Sequence, residues 1–265
     1  MGNLPEALET LKQAHNADPE SALVRYFLGD IMVRQGDLDE GIGHLQAARE
    51  RLTNFYDVDV AYAYALRMQG DRYGTIEERD IYYAQAKAIF LQVAQERPRL
   101  QDISGESAFG ALAGLYRREG NLREAIRWYE RAREATPQNS YPINNLALCY
   151  FALGDAEKAR QYFEQSLAMA RSRQTLVPMD YYSRFDVITA RLGLHCLDPQ
   201  TDPYPDDLMH DDFHDTLELV NAMGISTRPL HTFRTGLERL DPASHPPVEA
   251  AIRLLDAEMA QMERP

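Results

Sequence analysis

The sequence predicts an all-α protein built as an array of antiparallel helix pairs, with further helices after the array. Three observations predict it. Apolar residues recur at helical spacing along most of the chain. Gly-Asn and Gly-Asp dipeptides interrupt the periodic stretches at Gly36-Asp37, Gly70-Asp71, Gly120-Asn121 and Gly154-Asp155, where a tight turn favours a residue without Cβ. The pattern also returns: Phe109, Leu112, Ala113 and Tyr116, a turn, then Ala125 and Tyr129 reappear 34 residues later as Ile143, Leu146, Ala147 and Tyr150, a turn, then Ala159 and Phe163. Small Ala113, Ala125 and Ala132 let two helices approach closely, the larger side chains fill the seam, and Pro137 stops the second helix.

Taken in order, the chain opens on half a unit. Ala7, Leu11, Ala14 and Pro19 fit a second helix whose first helix is missing, so either the chain is a shortened piece or its N-terminal edge is a surface for self-association. The unit at about 22–53 uses Leu28, Gly29 and Met32, then Gly41, Leu45 and Ala48. Gly41 and Gly43 lie in its second helix, where each lowers helix propensity by about 1 kcal/mol relative to Ala, and close packing is the expected reason. The unit at about 56–98 is stretched, with an insertion between Gly70-Asp71 and Ala86. Thr75 followed by Glu78 reads as a capping box that lengthens the second helix. Regular units follow at 106–139 and 140–171, so the array spans residues 1–171. Residues 172–265 form a C-terminal helical capping region packed on the array, with helices at Asp180–Leu197, Asp206–Met223, Pro229–Leu240 and Pro247–Met262.

Composition narrows the function. Apolar residues make up 45% and charged residues 26% of the chain, and the net charge is −13. That charge disfavours nucleic acid and anionic membranes as partners. The first ten residues have neither the basic nor the apolar stretch of a signal peptide, so a cytoplasmic address is expected. Cys149 and Cys196 sit in apolar helical patterns and read as free thiols. Residues 198–218 carry eight acids and no Lys or Arg, a solvated face or a dock for a basic partner. No phosphate loop, Cys-x-x-Cys pair or nucleophile elbow occurs, so nothing supports an enzyme and no cofactor is expected. His210 and His214 stand at i and i+4, as in zincin proteases, but Asp211 occupies the place of the catalytic Glu and no third ligand follows at a recognisable spacing. A metal-binding module or metal-dependent hydrolase on this helix is the alternative reading.

The helix-turn-helix units, with their aromatic, Leu, Gly, Tyr, Ala and Pro positions, resemble the tetratricopeptide repeat. The resemblance implies a right-handed α-α superhelix and a non-enzymatic scaffold or adaptor that holds a protein or peptide segment in a groove lined by the first helix of each unit. Carried over position by position, it implies a groove of Tyr26, Phe27, Asp30, Arg34, Tyr64, Arg67, Gly110, Gly114, Arg117, Arg118, Tyr141, Asn144, Asn145 and Leu148. Gly110 and Gly114 would leave a hollow there, Asn144 and Asn145 would grip a peptide backbone, and the arginines would take acidic flanks. Filling of that hollow by the C-terminal helices is the competing expectation. The chaperone-tail clamp of some family members is not matched, because Tyr26 and Asp30 replace its Lys and Asn and only Asn145 fits. A peptide-sensing region of a larger regulator is a third reading.

Overall fold

Thirteen α-helices and no strand occur among the described residues of the computed structural model, which are 4–72, 75–102, 105–204, 206–223 and 227–262. Chain contacts divide the protein into residues 1–121 and 122–265. The first unit holds α1 (Leu4–Ala17), α2 (Ala22–Gln35), α3 (Leu38–Arg49), α4 (Tyr56–Arg72), α5 (Ile76–Glu96) and α6 (Ala108–Arg118). The second holds α7 (Leu122–Ala135), α8 (Tyr141–Ala152), α9 (Ala156–Leu176), α10 (Tyr181–Leu197), α11 (Asp206–Ala222), α12 (Arg228–Leu237), a 3-10 turn (Glu238–Leu240) and α13 (Pro246–Met262). The division falls between the two helices of the repeat at 106–139.

Local chemistry sets most helix ends. Gly36, Gly120 and Gly154 have φ of 103°, 79° and 75°, the left-handed conformation in which a glycine closes a helix. The Gly36 N–H donates to the Met32 and Val33 carbonyls. Thr75 caps α5 with one half of the expected box: Thr75 Oγ1 accepts from the Glu78 N–H at 3.3 Å, while the Glu78 carboxylate takes the Thr75 hydroxyl at 2.7 Å in place of the backbone N–H. Asp180 caps α10 by accepting from Ser183 N.

Gly70-Asp71 departs from the expected turn. α4 runs through both residues to Arg72, and Gly70 is buried. A Cβ on Gly70 would lie 2.9 Å from Tyr83 Cδ1, so the glycine admits the buried Tyr83 ring of α5. Asp71 is tied to the Tyr83 hydroxyl and, at 2.8 Å, to Arg67 on its own helix. The insertion lengthens both helices of this unit, α4 to 17 residues and α5 to 21.

In the first unit, Val33, Leu38, Leu45, Ala48, Val58 and Ala65 form a buried cluster. α2 and α3 touch through glycines: a Cβ on Gly29 would lie 2.8 Å from the Gly41 carbonyl oxygen, and one on Gly41 would lie 2.7 Å from Val33 Cγ2. Gly43, which the sequence pairs with Gly41, has no atom within 4 Å of the place a Cβ would take. The two glycines should therefore respond oppositely to alanine. Gly43→Ala is expected to stabilise by about 1 kcal/mol through helix propensity, while Gly41→Ala is expected to destabilise by about 1–2 kcal/mol because overpacking outweighs the same gain. Urea unfolding followed by far-UV circular dichroism checks the sign of each.

In the second unit, α10 packs against α8 and α9, and one core joins Leu148, Phe163, Ile188, Phe213, Leu230, Phe233 and Leu255. The acidic stretch at 198–218 is partly used within this unit, since Asp202 pairs with Arg160 and Asp212 with Arg191 and the Tyr204 hydroxyl. Cys149 is buried, Cys196 is half-buried, and both are free thiols. Burial pushes the Cys196 thiol up to about 12, leaving it a poor nucleophile.

Candidate functional site

In the first unit, α2, α4 and α6 contribute to an open depression of about 70 Å³. Tyr26, Asp30 and Arg34 enter from α2, Asp57, Val60, Ala61 and Tyr64 from α4, and Ala111 from α6. Phe90 of α5 and the connection Leu100–Asp102, with Glu106, complete the wall. Helical spacing explains the alignment, because Asp57, Val60, Ala61 and Tyr64 lie three or four residues apart on one face.

Each aromatic ring is held. Tyr26 packs on Phe27 at 4.8 Å and edge-on to Phe55 at 5.4 Å, while Phe27 itself is 46% exposed. Burial, then the nearby Asp30 and Asp57 carboxylates, push the Tyr26 hydroxyl up to about 12, so it stays protonated. Tyr64 meets Phe90 edge-on and donates to Asp102 Oδ2 at 3.1 Å. Asp102 also accepts from the Glu106 N–H at 3.0 Å, which ties it to the residue ahead of the α6 cap.

Three of the four arginines expected to await acidic ligands, Arg34, Arg67 and Arg118, face acids of their own. Arg34 Nε lies 2.9 Å from Asp30. Asp71 faces both Arg67, at 2.8 Å, and Arg118, at 3.9 Å, and Arg117 is half-buried. Two of these pairs, Asp30 with Arg34 and Arg67 with Asp71, are i,i+4 neighbours that the sequence already displays. The hollow expected at Gly110 is filled from within, since a Cβ there would fall 1.8 Å from Glu106 Oε1. Gly114 is buried.

In the second unit the expected groove residues are turned to internal use. Asn144 is buried and donates through Nδ2 to Asp186 Oδ1 of α10 at 2.8 Å, and Ser140 Oγ donates to Asp186 Oδ2 at 2.5 Å. Asn145 is buried and donates to the Tyr141 carbonyl of its own helix at 2.8 Å. Leu148 belongs to the core, and Tyr141, half-buried, meets Tyr129 edge-on at 6.2 Å. This corrects the expectation that Asn144, Asn145 and Leu148 face a peptide: all three are buried, and Asn144 is bonded to α10. His210 and His214 are both exposed, with ring centroids 6.3 Å apart, and His214 Nε2 lies 3.3 Å from Glu218. Among the described residues no group of three His, Cys, Asp or Glu side chains is placed to hold a metal.

Sequence reasoning missed Asp102 and Glu106, which lie in a connection outside the helical register, and Asp186, which lies beyond the repeats. The middle of α10 offered a signal: Phe185, Val187, Ile188 and Ala190 flank Asp186 on all sides, as in a helix buried around its circumference. No helix among the described residues is long and apolar enough to cross a membrane.

Comparison with known proteins agrees with this architecture. Two tetratricopeptide repeat models match the sequence, over residues 1–70 and 106–172, together 137 of its 265 residues. No curated protein gives a significant match. Among solved structures, TTC0263, a thermophilic TPR protein in Thermus thermophilus, is 16% identical with a TM-score of 0.56, covering 71% of this chain and 90% of its own. MamA is 17% identical with a TM-score of 0.52, covering 65% and 91%, and a double mutant of MamA from RS-1 is 16% identical with a TM-score of 0.52, covering 65% and 88%. At these identities the likeness concerns the fold. Repeat period, left-handed glycine turns, helix pairing and the two matches agree, and the chain belongs to the tetratricopeptide repeat family.

Proposed function

We propose that this protein is a non-enzymatic adaptor that holds a peptide segment of a partner protein in the depression of its first unit. Tetratricopeptide arrays commonly mediate contacts between proteins. The observation that carries the location is the contrast between the two units. On α8, Asn144 and Asn145 are buried and hydrogen-bonded within the chain and Leu148 lies in the core, whereas the corresponding face of α2 and α4 borders an open depression with Tyr26, Val60 and Tyr64 in its wall. A peptide laid there meets ring faces and aliphatic carbons for an anchor and carboxylates for its donors, the mixture that small recognition sites use.

The test fills the depression. Short peptides selected on the full chain from a random display library are measured against the chain and against Val60→Trp. Val60 is half-buried in the wall and outside the cluster of Val33, Leu45 and Val58, so the larger ring occupies the depression. Affinity should fall by about tenfold or more, with the thermal transition unchanged. Selected peptides that bind Val60→Trp and the parent chain equally well would place recognition elsewhere.

A further inference from the structure

We infer that the depression in the first unit takes a cationic side chain, a lysine or arginine carried by the partner segment. The inference rests on the reading of that depression as the peptide site and adds the sign of the ligand. The sequence led to the opposite sign, because its arginines stood in groove register.

The sign follows from which charges are already answered. Asp30, Asp57, Asp102 and Glu106 border the depression against Arg34, and Arg34 is tied to Asp30. Arg67 and Arg118 face Asp71. An acidic ligand in the depression must displace Asp30 from Arg34, the arginine that borders it, whereas a cationic ligand enters a field that is negative before it arrives. The Asp57 carboxylate makes no ion pair or hydrogen bond with another described residue, and Asp57 sits half-buried in the first turn of α4.

Shape agrees with charge. About 70 Å³ open to the centres of water-sized molecules is room for several waters, and so for the head of a long side chain. Tyr26 and Tyr64 present ring surface for an aliphatic stem, and aromatic faces attract the cation at its end. The Tyr26 ring keeps its proton and therefore adds no charge of its own. Val60 and Ala61 close the wall without donors that would select an anion.

Fluorescence anisotropy with the full chain at low salt tests this, using labelled peptides of alternating Ala and Lys or alternating Ala and Glu. A net charge of −13 attracts any basic peptide, so site-specific and general attraction must be separated. Asp57→Asn removes one charge from the depression, and Asp211→Asn with Asp215→Asn removes two exposed charges from α11 of the other unit. The Ala-Lys peptide should bind, lose about three- to tenfold in affinity on Asp57→Asn, and stay within about twofold on the α11 pair. Stronger binding of the Ala-Glu peptide, binding of neither peptide, or equal losses from both variants would overturn the inference. The two readings fail separately: library peptides that lose affinity on Val60→Trp but lack Lys and Arg and ignore Asp57→Asn keep the depression as the site and reject the cation.

Discussion

Wild-type protein should lose stability as pH rises from about 4 to about 7, and Asp186→Asn should abolish most of that loss. Asp186 is buried in α10 and accepts hydrogen bonds from Ser140 and Asn144 of the α8 region. Both donors are neutral. Burial therefore dominates and pushes the carboxyl from 3.8 up to about 7, against the smaller opposite pull of the two hydrogen bonds. The sign follows from proton counts. Between 3.8 and about 7 the unfolded chain has released this proton while the folded chain retains it, so each step up in pH favours unfolding by about 1.4 kcal/mol per pH unit. The contribution is fully present below 3.8, declines across the interval and is gone above about 7, about 4 kcal/mol in all. Asparagine has the same shape without the charge. Its amide oxygen accepts from Asn144, and its amide N–H₂ donates to Ser140 Oγ. At pH 8 the variant should exceed wild type by several kcal/mol, while near pH 4 the two should converge. Urea denaturation read through Trp128, the single tryptophan and a residue of α7 in the same unit, gives the comparison directly. Parallel pH profiles for the two proteins would show that Asp186 does not titrate in this interval.

Asp186 also marks where sequence reading stops. Turn chemistry is local, so Gly36, Gly120, Gly154 and the Thr75 cap were legible from a few adjacent residues, and with them nearly every helix. Gly70-Asp71 was misread because a glycine within a helical pattern serves either a turn or a close approach, and Tyr83, thirteen residues further along, decides between them. The groove register was legible, its availability was not. Asn144 is answered by a residue 42 positions away, a pairing that no periodicity encodes. The arginines are a different case: Asp30 and Asp71 stood at i,i+4 spacing in plain view, and the sign of the depression could have been read from them.

Alanine in place of Gly193 should destabilise the protein when Phe163 is present and stabilise it when Phe163 is gone. A Cβ at Gly193 would lie 2.3 Å from Phe163 Cζ and 2.4 Å from Cε2, well inside contact distance. Phe163 is fully buried on α9 in the core it shares with α10, so its ring has nowhere to retreat. Overpacking of this kind costs about 1–3 kcal/mol, occasionally more, against a helix-propensity gain of about 1 kcal/mol for Gly→Ala. At 2.3 Å the upper part of that range applies, so Gly193→Ala alone should lose about 1–2 kcal/mol. Phe163→Ala alone removes a buried ring and should lose about 3–5 kcal/mol through lost burial and the cavity left behind. In that cavity the methyl introduced by Gly193→Ala meets no ring, recovers contacts and keeps the propensity gain, so the double variant should be about 1 kcal/mol more stable than Phe163→Ala. The two changes are thus coupled by about 2–3 kcal/mol, far above the few tenths seen for independent sites. Denaturation of the four proteins through Trp128 measures it. Additive losses would mean that the α9 and α10 contact relaxes freely around residue 193, and that glycine there serves the helix path rather than the ring.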